Sequence, residues 1–118
     1  MIAPPLQPRD GLAPNFWVDT LWEWRFRRAR RRVLAWCAPT EDDRAFWAGR
    51  ADLAPYGDWL DCVTDVDGRR WFAVSRDWHG WPDPPEFAVF ALEPSGTVWM
   101  ARDFANWPRV WIREGDGV

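Results

Sequence analysis

The chain has one histidine, His79, in the segment DWHGWPDPP, with Asp77, Asp83 and Glu86 as its nearest carboxylates. An imidazole beside a carboxylate can serve general acid–base catalysis or begin a metal site. A metal would need two or three more ligands, and no second histidine or paired cysteine joins His79, so neither a metal nor another cofactor is expected. Cys62 and His79 could form a thiol–imidazole couple. Cys62 falls in the middle of an expected strand, however, where a small buried hydrophobe is the expected role. Ser75 and Ser95 lack a nucleophile-elbow context, and no glycine-rich loop precedes a helix. No spacing singles out two of the eighteen acidic residues. The chain therefore reads as non-catalytic, with a small hydrolase built on His79 as an alternative. Trp78, His79 and Trp81 could instead form an aromatic ledge for a partner, or simply close the end of a sheet in a proline-stiffened loop.

The second candidate is LWEWRFRRARRRVLAW, Leu21 to Trp36. Six arginines and one glutamate give this segment +5, which leaves −8 on the rest of a chain whose net charge is −3. Trp22, Phe26, Ala29, Val33 and Trp36 recur at helical spacing and predict one inward stripe. Trp24, Arg27 and Arg31 then point away from the core. Arg28, four residues after Trp24, can stack on its indole. A solvated face with arginine stems over one tryptophan would explain this pattern. So would a protein interface, since Trp and Arg dominate binding hot spots and the local charge would steer in an acidic partner. A third account is single-stranded nucleic acid, with bases stacked on indoles and phosphates on arginines. The acidic remainder opposes that account, and no RNA-binding signature supports it.

These residues need elements to hold them. The 118 residues suit one domain with its own core. Twelve tryptophans are too many to bury completely, so some should reach the surface. All fifteen basic residues are arginine, a usage that coding bias explains as well as chemistry does. Two cysteines make no disulfide framework and should be reduced, partly buried thiols. The N-terminal MIAPPLQPRDGLAP has no basic n-region or apolar h-region, and no stretch approaches the length of a membrane span. A soluble cytoplasmic protein with no membrane contact is the expectation.

Residues 1–15 read as an extended or disordered proline-rich arm, and 16–118 as a single α+β domain. The first helix is predicted to start at Asp19 or Thr20 and to run to Trp36. The second is predicted from Glu41 to Leu53, with Thr40 and Asp43 spaced for a capping box. In WLDCVTDVDGRRWFAVSR, Asp67-Gly68 marks a two-residue hairpin turn that sets Val66 opposite Arg69, Asp65 opposite Arg70 and Val63 opposite Phe72. EFAVFAL and TVWMAR form a second hairpin around Pro94–Gly96. DFANWPRVW resembles a short C-terminal helix capped by Asp103. The fold class is then α+β, with two N-terminal helices packed on one face of a four-stranded antiparallel meander.

FAVFALEPSGTVWMARDFANW resembles the end of SUKH-type bacterial immunity proteins, in which a strand, a glycine turn and a second strand lead into a short helix with an acid and a phenylalanine. Phe87–Leu92, Gly96, Thr97–Ala101 and Asp103–Phe104 carry the resemblance over about twenty residues. It implies an α+β protein that binds and blocks a toxin. Resemblance and residues together lead to a non-catalytic protein-binding module of immunity or inhibitor type. Trp24, Arg27, Arg28 and Arg31 are its expected contact surface, and the Trp78–His79–Trp81 ledge its second. The expected partner is a protein with an acidic surface, and nucleic acid is the alternative.

Overall fold

A computed structural model describes residues 15–53, 56–57, 59–75 and 87–113. Asn15 opens the first helix, α1 (Phe16–Ala29). Its backbone is extended and its side chain accepts a hydrogen bond from the Val18 amide at 3.0 Å, which satisfies one of the free donors of the first turn. The helix thus starts three residues before the expected Asp19. It also ends seven residues before the expected Trp36. Arg31 and Arg32 donate to the carbonyls three residues back, which tightens the last turn and releases the chain.

Leu34–Trp36 then forms a strand, β1, with Leu34 and Trp36 buried and Val33 77% exposed. Only Trp22, Phe26 and Ala29 of the predicted five-residue stripe belong to a helical face. Leu34 and Trp36 also satisfy a period of two, and a distant strand partner decides between the two periods.

The second helix, α2 (Glu41–Ala48), starts as predicted. The Thr40 hydroxyl accepts from the Asp43 amide and the Asp43 carboxylate accepts from the Thr40 amide at 2.9 Å, which completes the capping box. It stops at Gly49, short of the expected Leu53, because glycine favours leaving the helix there.

Strands β2 (Trp59–Val66), β3 (Arg69–Ser75), β4 (Phe87–Leu92) and β5 (Val98–Phe104) form the expected antiparallel sheet in sequential order. The first hairpin has the predicted register. Asp67 and Gly68 take positive φ values of 52° and 80°, which matches the twist of the flanking strands. Gly96 does the same in the second turn.

The helices do not share one face of this sheet. Trp71 of β3 approaches Trp111, and Phe26 of α1 packs on Trp111 and Phe104. On the opposite face Phe72 and Phe90 stack with Trp47 of α2, and Phe72 also with Phe46. The expectation of one covered face is thereby corrected, for a visible physical reason. Central residues Trp71–Val74 and Ala88–Leu92 are buried without alternation, so their uninterrupted apolar runs need cover on both sides.

The expected C-terminal helix is also absent from residues 103–113. Asp103 and Phe104 end β5, and Trp111–Arg113 forms a strand, β6, parallel to β1. Trp111 is the reason. Its indole packs against Trp36, Phe26 and Phe104, and its N–H donates to the Ala29 carbonyl at the end of α1 at 2.9 Å. A helix from Asp103 would give up the Phe104–Phe87 stack and the pairing with β1.

Candidate functional site

The outer face of α1, the turn after it and the hairpin tip of β2–β3 enclose a cleft of about 480 Å³. Each lining residue has a local cause. Trp24 and Arg28 are one helical turn apart, and the Arg28 guanidinium lies 4.9 Å from the Trp24 ring centre. Trp24 is 56% exposed, so the guanidinium covers only part of it. Arg31 and Arg32 come from the turn that ends α1, and Arg32 reaches Asp67 at the hairpin tip at 2.8 Å. Arg69 is the first residue of β3 and pairs with Glu93.

The far wall depends on a bulge. Leu92 pairs with Val98 and Ala91 with Met100, so Trp99 is the extra residue between them. A bulge re-aims a side chain, and here it sets Trp99 near Trp71 on the α1 side of the sheet. The guanidinia of Arg25 and Arg69 lie 4.2 and 3.9 Å from the Trp99 ring centre, and Arg25 also donates to the Trp99 carbonyl. Trp71 lines the cleft as well, and its buried indole N–H has no acceptor among the described residues.

The electrostatics are unbalanced. Arg25, Arg28, Arg31, Arg32 and Arg69 line the cleft, and among the described residues Asp67 is the only carboxylate in the lining. Asp67 holds Arg32 and Glu93 holds Arg69. Arg25, Arg28 and Arg31 form no ion pair among the described residues. Burial, and next the charge of Arg69, hold the Arg25 pKa below its usual value, with Glu93 opposing. Three guanidinia without a direct ion pair among the described residues, beside partly open indoles, can accept an anionic group and an apolar one side by side.

Of the residues singled out in the sequence, the fold brings Trp24, Arg28 and Arg31 to this cleft. It leaves Arg27 aside. Arg27 donates to Glu23 at 2.5 Å, one helical turn before it, and Glu23 also holds Arg102. Trp78, His79 and Trp81, with the carboxylates around them, lie outside the described residues. Cys62 is buried in β2, but Cys37 is exposed rather than partly buried, where its backbone bridges to Val63 at the edge of the sheet. Among the described residues no cluster of His, Cys, Asp and Glu could hold a metal ion, and no helix is long and apolar enough to cross a membrane.

Sequence reasoning missed Arg25, Arg32, Arg69 and Trp99 as cleft residues. The one available signal was Val98-Trp99-Met100, three apolar residues in a row where alternation should hold. It also missed Trp17 and Leu21, which are 80% and 41% exposed. A helix begun at Asn15 instead of Asp19 would have placed Trp17, Leu21 and Trp24 in one row.

Compared with known proteins, the chain matches no family model, and no curated protein or solved structure shows significant similarity to it.

Proposed function

We propose that the chain is a cytoplasmic, non-catalytic protein-binding module that takes an acidic surface of another protein against the cleft beside α1 and blocks it, as an immunity or inhibitor protein does. The carrying observation is that Arg25, Arg28 and Arg31 line one cleft and form no direct ion pair among the described residues, with Glu93 acting on Arg25 from a distance. The charge of Arg69 already acts against that of Arg25, and an incoming carboxylate would offset it while gaining charge-assisted hydrogen bonds. Trp24 supplies apolar contact next to the charge, the combination from which hot spots are built. Arg27, spent largely on Glu23, contributes to steering more than to contact. The Trp78–His79–Trp81 segment is the proposed secondary contact. The SUKH-type resemblance supplies the blocking role and says nothing of the cleft.

A second reading, single-stranded nucleic acid, draws on the same three indoles and five arginines. The charge of −8 outside residues 21–36 disfavours it, because a polyanion longer than the cleft would meet repulsion beyond it. Capture from the native host by the full chain and by a Trp24→Ala, Arg28→Ala double variant tests the proposal. The variant should lose the captured protein, and recovery of the same proteins by both versions would sink it. Salt separates the readings. A phosphate polymer loses affinity linearly in log salt with a steep slope set by the number of phosphates neutralised, whereas an acidic protein contact at a few arginines, with Trp24 adding apolar contact, should show a shallower slope. His79→Ala addresses the hydrolase alternative, since a hydrolytic activity lost without loss of fold would be expected only there.

A further inference from the structure

Helix α1 is apolar on two sides. Its inner side buries Trp22, Phe26 and Ala29. On its outer side Trp17, Leu21 and Trp24 follow at steps of four and three, and Arg28 continues the row at the next turn. At 100° per residue these four lie within about 60° of arc, and Trp17, Leu21 and Trp24 are all exposed. Phe16 packs edge-on against Trp17 with ring centres 5.5 Å apart, which widens the row at its N-terminal end. The row runs about 16 Å along the helix, at 1.5 Å per residue, and it ends at the arginine cleft.

We infer that the segment which docks here is an acidic amphipathic stretch of another protein, its apolar side lying along Trp17, Leu21 and Trp24 and its carboxylates entering the cleft at Arg28 and Arg31. This rests on the cleft being a site for acidic protein surfaces, and adds to it the form and direction of the docking element. An i, i+4, i+7 row is how a helix offers anchors to an amphipathic partner. Charge complementarity selects the occupant. The two acids of α1, Asp19 and Glu23, are held by Arg102, and Glu23 also by Arg27. A second copy that met this row with the same face would therefore bring arginines without carboxylates to meet them. The row is also too small alone. Each aromatic buries about 150–250 Å² at most, so three anchors fall short of the roughly 800 Å² per partner of a standard interface. The cleft must belong to the same contact.

Three probes titrated into the full chain decide the matter: a leucine- and glutamate-bearing amphipathic helical peptide, a glutamate-only peptide of equal charge, and an oligo(dT) of equal charge. The leucine-bearing peptide should bind about tenfold more tightly than the glutamate-only one. Trp17→Ala with Leu21→Ala should erase that preference and leave glutamate-only binding unchanged. A preference that survives in this variant overturns the inference. So does a variant that unfolds at a markedly lower temperature, which would mean the chain itself covers the row. A full-length dimer that the variant turns into a monomer gives the row to a second copy, and oligo(dT) binding more tightly than both peptides gives it to nucleic acid. Either result also overturns the inference. Glutamate-only binding without any leucine preference removes this inference alone. If no acidic probe binds, and Arg28→Ala with Arg31→Ala changes nothing, the cleft reading fails first and this falls with it.

Discussion

Both faces of the sheet hold paired arginines, Arg27, Arg32, Arg69 and Arg102 on the α1 side included, but the α1 side also gathers three at one cleft without an ion pair among the described residues. On the α2 face each well-placed arginine has its carboxylate. Arg70 donates to Asp43 at 2.7 Å and to Asp65 at 2.9 Å, and Arg50 forms a two-point contact with Asp52 and a further bond to the Gly96 carbonyl. Those pairs tie the second helix, the first hairpin and the second turn together. On the α1 face Arg25, Arg28 and Arg31 lie against indoles or at the cleft rim without a carboxylate. Arginines bonded to acids hold a fold together. Arginines gathered without acids keep their charge available to something else. The same residue type thus ties elements together where a carboxylate lies within reach and keeps its charge unpaired at the cleft, and the difference lies in what each guanidinium can reach.

The largest effect should come from breaking the structural side. Asp43→Ala removes the capping box and the inner partner of Arg70, and should lower unfolding free energy by about 2–3 kcal/mol in denaturant titration. A loss within about 0.5 kcal/mol, the range of an ordinary surface change, would place Asp43 on a par with surface acids and dissolve the contrast.

Next in size is the dependence on pH. In Asp43 burial pushes the pKa up, but hydrogen bonds from Arg70 and Thr40, with the Arg70 charge, outweigh it and hold the carboxyl below its usual value. In Asp52 the hydrogen bonds from Arg50 dominate and act in the same direction. Such groups bind fewer protons folded than unfolded. Their contribution is complete above the ordinary carboxylate pKa of about 4 and is lost as pH falls through the depressed folded values. Denaturation midpoints should therefore decline on acidification below that point, and Asp43→Asn should flatten the decline. An unchanged slope in Asp43→Asn would assign the effect to other carboxylates.

The smallest effect on stability sharpens the other side. Arg28→Ala with Arg31→Ala should change unfolding free energy by no more than about 0.5 kcal/mol, because neither arginine has an ionic partner to lose. The same variant should weaken an acidic ligand by about tenfold or more. A stability loss of about 2 kcal/mol, of the size expected when a buried bond partner is removed, would show that the cleft arginines are structural after all.

What the sequence alone determined is what lies close in the chain. The Thr40–Asp43 capping box, the Asp67-Gly68 turn with Asp65 opposite Arg70, the Glu23–Arg27 pair and the Arg28–Trp24 stack all join residues within five positions of one another. Their geometry follows from helix and hairpin dimensions, whatever the rest of the molecule does. Only the tertiary structure decided where α1 stops, because Trp36 fits the helical period with Val33 and the period of two with Leu34 until β6, far along the chain, pairs with Leu34–Trp36. It also decided that α1 and α2 take opposite faces of the sheet, and that Arg69 and the bulged Trp99 meet Arg25. Helix and strand propensities differ by a few tenths of a kcal/mol per residue, which is less than the burial of one tryptophan contributes. Long-range packing therefore settles each ambiguous segment, and with it the composition of the cleft.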